Sequence, residues 1–340
     1  MSSSAVERER LYDLAREAQP HLGSGSSDWL ERLEAERTEI EDAISSYVAA
    51  GDARGAEMAT AVWQLWFRGG HMDEGRRLLA RVIDSAVATS PEIRADLLGG
   101  LGTIAFRQGD NDEAARIFGE SLTVAETLDP VRQVGALCNL GRVALRRGDF
   151  ASVRDYALRA YGLAETIPGA EGKAARRNPA HMLAAAARMA ADYAQARRYY
   201  EESQDLSREL GNEQSVAGEH HNLGYVDLHS GDLAGARSHF RQALEWVAAN
   251  RDMYLLPYCV VDSAILALRD GALDRAATLL AAAQAIFDTT GAVPDPDDGV
   301  EIDGCRRELE DRMNAGLYEA AVERGRALTV EGVLELAVAS

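Results

Sequence analysis

The sequence predicts an all-α fold in which pairs of helices repeat along the chain as a solenoid. Apolar residues follow a helical spacing in every periodic segment, and helix-breaking turns recur at a nearly constant distance. Six turn residues, separated by 39, 39, 43, 40 and 40 positions, are Gly70, Gly109, Gly148, Ala191, Gly231 and Gly271. An internal period of about 40 residues is typical of stacked repeats that bury their apolar faces against one another.

Each turn is predicted to separate a first helix from a second helix. An aspartate follows four of the six turn residues: Asp110, Asp149, Asp192 and Asp232. Glycine ends a helix readily because it adopts a positive φ without strain. Aspartate begins the next helix because its side chain accepts a backbone hydrogen bond there.

Small and bulky residues also keep fixed distances from the turns. Small residues stand five positions after a turn (Gly75, Ala114, Val153, Ala196, Ala236, Ala276) and seven before it (Gly102, Gly141, Ala184, Gly224, Ala264). Bulky residues stand nine positions after it, with Ala157 as the exception: Leu79, Phe118, Tyr200, Phe240 and Leu280. A glycine inside a helix costs about 1 kcal/mol relative to alanine, so its recurrence predicts close contact between paired helices.

The residues around the fifth turn resemble the tetratricopeptide signature. They are Asn222-Leu223-Gly224, Gly231-Asp232-Leu233, Ala236, Phe240 and Ala243. The resemblance implies a right-handed superhelical solenoid of tetratricopeptide-like helix pairs, with a period longer than the usual 34 residues or so. We expect N-terminal capping helices over 1–52, the repeat array over 53–290, and a linker with C-terminal capping helices over 291–340. A loop over 168–179 is expected to account for the one step of 43 residues.

A more specific resemblance covers nearly the whole chain. The segments 29–37, 63–79 and 325–337 resemble the tetratricopeptide domain of actinobacterial signal-transduction ATPases of LuxR-type and antibiotic-regulatory kinds. In that family a P-loop module and a DNA-binding module accompany this domain. The sequence contains no G-x-x-x-x-G-K-[ST] motif and no helix-turn-helix tail. The resemblance therefore implies a sensor or partner-binding part, without ATP hydrolysis or promoter binding.

Composition excludes several partner classes. Lys and Arg number 36 against 55 Asp and Glu, a formal net charge of −19, which repels nucleic acid over most of the surface. The polar N-terminus and the absence of any long apolar stretch predict a cytoplasmic protein with no membrane partner. Three distant cysteines, Cys138, Cys259 and Cys305, give no disulfide framework or metal pair, and we expect them to be small buried residues.

A basic residue ends nearly every first helix. These residues are Arg68, Arg107, Arg146, Arg188, His229 and Arg269. One interpretation is stabilisation by the helix dipole, which favours cations at C-termini by roughly 0.3–1 kcal/mol each. The alternative, implied by first helices lining the concave wall, is a basic row that binds an anionic ligand or a peptide carboxylate.

A second set of candidate residues lies on one predicted helix face. His221, Tyr225 and His229 are spaced i, i+4, i+8, and His181 and Tyr258 occupy matching positions in neighbouring repeats. Such residues are either ordinary packed side chains or the lining of a polar ligand site. Metal is not expected, because the adjacent His220 and His221 diverge by about 100° on a helix.

Two further features are assigned structural roles. Trp63, Trp66 and Phe67 are expected to belong to the core at the start of the array, with a stacking cofactor box as the alternative. The acidic run 295–303 resembles a calcium loop only superficially, because prolines interrupt it and its glycine is misplaced. We interpret this run as a solvated linker.

The sequence thus favours a non-enzymatic, regulatory binding or sensor module without a cofactor. Its concave groove would hold a protein, a peptide or a small anionic or polar metabolite, and a homodimer is a further candidate assembly. The alternative is a natural-product biosynthetic or accessory enzyme with His221, Tyr225 and His229 as acid–base groups. A purely structural adaptor is the third reading.

Overall fold

The structure, a computed structural model, describes residues 3–22, 27–85, 87, 90–290 and 293–338. These residues form α-helices and connecting turns and contain no strand. The helices are α1 (Ser3–Leu22), α2 (Ser27–Glu34), α3 (Arg37–Ala49), α4 (Arg54–Arg68), α5 (Met72–Asp84), α6 (Pro91–Arg107), α7 (Asn111–Ala125), α8 (Pro130–Arg146), α9 (Phe150–Glu165), α10 (Gly169–Met189), α11 (Tyr193–Glu209), α12 (Glu213–Ser230), α13 (Leu233–Asn250), α14 (Leu256–Arg269), α15 (Leu273–Thr290), α16 (Pro296–Arg312), α17 (Ala315–Arg326) and α18 (Val330–Val338). The all-α, tetratricopeptide-like fold class is confirmed.

The chain forms two compact units. The first comprises Met1–Val143 with Arg159–Pro168, and the second comprises Ala144–Leu158 with Gly169–Ser340. In the first unit, α6 and α7 form a closely packed pair, and α1 packs against α4. In the second unit, the pairs α10–α11, α12–α13 and α14–α15 each pack closely, and α17 packs against α15.

The predicted turns are confirmed by the backbone. All six turn residues have a positive φ, including Ala191 at 58°. The side chains of the following aspartates cap the second helices: for example, Asp110 accepts a hydrogen bond from the backbone N–H of Glu113, and Asp232 accepts one from Gly235. The Gly-Asp pairs therefore stop one helix and begin the next.

The predicted close contacts are also present. A Cβ atom added at Gly102 would lie 2.5 Å from the Phe118 ring, and one at Gly224 would lie 2.3 Å from the Phe240 ring. Real Cβ atoms essentially never approach that closely. The two glycines therefore let the first helix pack directly on the aromatic ring of the second helix.

Two sequence interpretations are wrong. Residues 169–179 are the first half of helix α10, not a loop, and Pro179 is buried within that helix. The longer step between turns thus reflects a longer first helix of 21 residues. The acidic run 295–303 is likewise not a solvated linker, because α16 begins at Pro296 and Asp297 is buried. Gly291 and Ala292, just before it, lie outside the described residues.

Helix α16 joins the apolar core of the second unit by its later residues. Ile302, Cys305 and Leu309 are buried in one cluster with residues of α13, α14 and α15. All three cysteines are buried, as expected. In the first unit Trp66 is fully buried, whereas Trp63 and Phe67 are only partly buried.

Candidate functional site

The candidate site lies in the second unit, on the surface that the first helices α10, α12 and α14 present to α16. We call this surface the first-helix face. It carries the predicted residues His181 and Arg188 on α10, His221, Tyr225 and His229 on α12, and Tyr258 on α14. Equivalent registers of successive repeats bring these side chains together, because each repeat places its first helix beside the next.

His221 is held between two carboxylates. Its Nδ1 lies 2.9 Å from Asp262 Oδ2, and its Nε2 lies 3.3 Å from Asp298 Oδ1. Burial acts to lower the pKa of His221, but the two carboxylates outweigh burial and raise it to about 10. The imidazole is therefore a cation at neutral pH, with both ring nitrogens engaged. The rings of Tyr225 and Tyr258 pack edge-on against it at 5.1 and 5.7 Å.

Arg188 is the second buried cation of the face. Its side chain is only 2% exposed, and its Nη2 donates to Asp297 Oδ2 at 2.8 Å and to Asp298 Oδ1 at 3.2 Å. The guanidinium also lies 5.2 Å from the centroid of the Tyr225 ring, a cation–π distance. Asp298 therefore bridges Arg188 and His221.

The pKa values of Asp297 and Asp298 are shifted in opposite directions. Burial acts to raise the pKa of Asp298, but hydrogen bonds and charges from His221 and Arg188 lower it to about 2. Burial and the neighbouring Asp298 carboxylate raise the pKa of Asp297 to about 6, against the opposing effect of Arg188. When two carboxylates are buried side by side, the repulsion between their negative charges makes it unfavourable for both to be ionised.

Glu219 of α12 organises the polar interior beside Arg188. It accepts hydrogen bonds from the Ser203 hydroxyl at 2.5 Å and the Asn222 amide at 3.2 Å, and it lies 2.9 Å from His181 Nδ1. Burial acts to raise the pKa of Glu219, but His181 and these hydrogen bonds lower it. His181 therefore belongs to the site through a buried carboxylate, while its own ring is half-exposed.

The remaining predicted cations of the second unit also contact the segment around α16. Arg146 Nη1 donates to the carbonyl oxygen of Val293 at 2.8 Å, and His229 Nε2 lies 2.7 Å from Glu301 Oε1. Arg269 lies 3.8 Å from Glu308. Arg107 is in the first unit, where its guanidinium stands over the Phe67 ring at 5.6 Å. The sequence grouped Arg107 with the cations of the second unit only because it has the same distance from a turn.

Several site residues escaped the sequence analysis. They are Glu219, Asp262, Asp297, Asp298 and Glu301. Asp262 had a usable signal, since it is the one acidic residue in the otherwise apolar helix Leu256–Arg269. Asp297 and Asp298 also had a usable signal in the sequence, because a proline followed by acidic residues is typical of the first turn of a helix.

The arrangement is suited to recognition of carboxylates. The buried cations Arg188 and His221 lie on α10 and α12 beside the carboxylates of Glu219 and Asp262, and the carboxylates that meet them from α16 belong to one short stretch of chain. Among the described residues, no group of three or more His, Cys, Asp or Glu is arranged to hold a metal ion. The buried atoms without a hydrogen-bond partner in the described chain include Arg188 Nε, Asp297 Oδ1 and the Tyr200 hydroxyl oxygen.

The first unit contains a separate open cavity of about 450 Å³. Side chains of α1, α4, α6 and α8 line it, including Trp63, Gln64 and Asn139. A Cβ atom added at Gly100 would lie 3.0 Å from the Trp63 ring. Trp63 is therefore part of the wall of this cavity, which accounts for its partial exposure.

Comparison with known proteins supports the same fold. Residues 93–166 match the family model described as tetratricopeptide repeat. Repeats of this kind generally mediate protein–protein interactions, and proteins built from them are typically non-enzymatic scaffolds. No curated protein sequence matches the chain. None of the helices in the described ranges is long and apolar enough to cross a bilayer.

Several solved structures are similar to this chain. RapI in its apo form has 12% sequence identity and a TM-score of 0.59, and the match covers 90% of this chain and 99% of RapI. BtubC (BKLC) from P. vanneervenii has 18% identity and a TM-score of 0.55, with 65% and 92% covered. A tetratricopeptide repeat protein from Parabacteroides merdae ATCC 43184 has 11% identity and a TM-score of 0.53, with 94% and 98% covered. At these identities the likeness concerns the tetratricopeptide-like fold alone.

Proposed function

We propose that this chain is a non-enzymatic binding module that holds a protein partner by a carboxylate-bearing segment on the first-helix face. The observation that carries the proposal is the pair of buried cations Arg188 and His221. Both are paired with carboxylates that α16 brings to the face from outside the helix pairs. A buried cation without a carboxylate is strongly unfavourable. His221 keeps Asp262 of α14 as a partner, whereas both carboxylates paired with Arg188 come from α16, so Arg188 makes the face select acidic segments.

The chemistry of His221 favours binding over catalysis. A general base needs a free nitrogen and a pKa near the working pH. His221 has both nitrogens next to carboxylates and a pKa raised to about 10. Burial raises the pKa of Tyr225 well above its ordinary value, which keeps the phenol protonated. These properties support a recognition role over the enzyme alternative for His221, Tyr225 and His229.

The finer role that we propose is that of a sensor or regulator in the cytoplasm. It rests on the resemblance of segments 29–37, 63–79 and 325–337 to regulator domains. The partner is an acidic protein segment and not a nucleic acid, since a chain of net charge −19 repels a polyanion at long range. A small anionic metabolite is the competing ligand, favoured by the buried and compact character of the cation pair.

A direct binding measurement tests the carboxylate preference. The full-length Asp297→Asn/Asp298→Asn variant is titrated with a fluorescent peptide of sequence 293–303, followed by anisotropy. We expect saturable binding that is lost when the aspartates and glutamate of the peptide are replaced by asparagine and glutamine. Adding Arg188→Ala to the variant should also abolish binding. Equal affinity for the acidic and the neutral peptide would contradict the proposal.

A further inference from the structure

The segment 293–301 differs from the rest of α16 in how it is held. From Ile302 onward the helix is fixed by buried apolar side chains. Before Ile302 the contacts are mostly charged: Arg188 with Asp297 and Asp298, His221 with Asp298, and His229 with Glu301. The two valines of the segment are largely exposed, Val293 at 66% and Val300 at 52%. Neither valine therefore anchors the segment to the first-helix face, and its partly buried apolar residues are Pro294 and Pro296.

Some polar atoms between the segment and the first-helix face are not satisfied. Asp297 Oδ1 and Arg188 Nε are buried without a hydrogen-bond partner in the described chain. Unsatisfied buried polar atoms weaken the state that contains them. The Asp298 carboxylate also repels that of Asp297, because it acts to raise the pKa of Asp297. Another acidic segment that satisfies these atoms would bind the same face more favourably.

The backbone of the segment is suited to occupying a binding site. Pro294 precedes the helix and Pro296 is its first residue. Both prolines restrict the backbone, so less conformational entropy is lost when the segment docks. Arg146 holds this part by the carbonyl oxygens of Val293 and Pro294, which any peptide backbone can offer. The side chains of Asp297 and Asp298 then enter the face from the first turn of α16. A partner needs the same sequence of features: an extended backbone followed by adjacent carboxylates.

We infer that residues 293–301 are a built-in competitor that occupies the carboxylate-binding face and must be displaced by an acidic segment of the partner protein. The inference rests on the proposed function and adds its regulation. The chain with the segment docked is the closed state, and the chain with the face free is the binding-competent state. The measured affinity of a partner is lowered in proportion to the competent fraction. Weakening the segment therefore strengthens partner binding without altering the face.

Two full-length variants with the same change in charge separate this regulation from general charge effects. Asp297→Asn/Asp298→Asn removes the carboxylates that face Arg188 and His221. Asp303→Asn/Asp311→Asn removes two exposed carboxylates of the same helix, and the Asp303 carboxylate pairs with its helix neighbour Arg306. Each variant and the wild type are titrated with the fluorescent 293–303 peptide. We expect the first variant to bind at least about tenfold more tightly than the wild type and the second to match the wild type.

Hydrogen–deuterium exchange reports the segment itself. We expect the amides of 297–301 to exchange faster in Asp297→Asn/Asp298→Asn than in the wild type, while those of 305–312 remain protected. Excess unlabelled 293–303 peptide should accelerate exchange of 297–301 in the wild type, which needs no substitution and so does not depend on how the variant folds. Unchanged exchange in both experiments would overturn the inference.

The outcomes distinguish the two proposals. Equal peptide affinity in the wild type and in Asp297→Asn/Asp298→Asn means that the segment does not compete, although the face still binds carboxylates. Release of the segment with no peptide binding in any variant means that the face is not a partner site, which overturns the proposed function and the competitor with it.

Discussion

At the scale of single residues, His221 gains its charge from two helices that are distant in sequence. Its raised pKa depends on Asp262 of α14 and Asp298 of α16, 41 and 77 residues away. The sequence located His221 by register and spacing, but register does not reveal which carboxylates meet it. Those partners became visible only when the course of α16 was known.

The raised pKa of His221 predicts a loss of stability at alkaline pH. Its folded pKa of about 10 lies above the ordinary value of 6.5. The stabilisation is therefore fully present below pH 6.5 and is lost as pH rises through about 10. We expect the free energy of unfolding to fall on the order of 5 kcal/mol across this range, as measured by urea denaturation at several pH values.

The neighbouring residue His220 supplies the control. Burial lowers the pKa of His220 to about 4, so it does not titrate above pH 6.5. His221→Asn should flatten the alkaline decline, and His220→Asn should leave the decline intact. The same decline in all three proteins would mean that other groups cause it and that His221 is not charged in the fold.

At the scale of helices, the sequence predicted most of what local chemistry controls. The positive φ at all six turns follows from glycine and its neighbours, and even Ala191 was located by the period alone. The prediction failed at residues 168–179 and 295–303, which are rich in proline and charge. Both begin helices: Pro168 immediately precedes α10 and Pro296 opens α16, and acidic residues are favoured in a first turn. Pro179 is accommodated inside α10. The amino-acid composition of these two segments is typical of a linker, whereas the order of their residues is typical of the start of a helix.

The close packing of a first helix on its partner can be tested at Gly224. An added methyl group would lie 2.3 Å from the Phe240 ring, so we expect Gly224→Ala to destabilise the protein by about 1–3 kcal/mol through overpacking. Thermal and urea denaturation measure this change. Adding Phe240→Leu should recover part of the loss, because the smaller side chain makes room for the methyl group.

Gly218 on the same helix α12 is the matched control. A Cβ atom added there meets nothing within 4 Å. Gly218→Ala should therefore stabilise the protein by about 0.5–1 kcal/mol, which is the ordinary helical preference for alanine. If both substitutions shift stability in the same direction, helix propensity and not interhelical contact governs Gly224.

At the scale of the whole molecule, a large net negative charge coexists with a few buried cations that are paired with carboxylates. The chain carries a net charge of −19, yet the first-helix face carries buried cations. Composition predicted the net negative charge. It gave no indication of the buried cations, because the burial of a few charges depends on tertiary contacts. The electrostatic effect of exposed charges extends over a Debye length of about 10 Å at 0.1 M salt. Contacts inside the protein are screened far less.

This difference predicts an unusual salt dependence for an ion-pairing site. An acidic peptide approaching Asp297→Asn/Asp298→Asn is repelled at long range by the net negative charge, and salt screens that repulsion. Once docked, its carboxylates pair with cations such as Arg188, which is almost fully buried. We expect the association rate constant of the 293–303 peptide to rise about three- to tenfold between roughly 20 and 200 mM salt, with little change in the dissociation rate constant. Stopped-flow fluorescence measures both rates, and the neutral asparagine and glutamine peptide is the control for non-electrostatic effects. An association rate that falls with salt would mean that exposed cations, and not the buried pair of the first-helix face, capture the peptide.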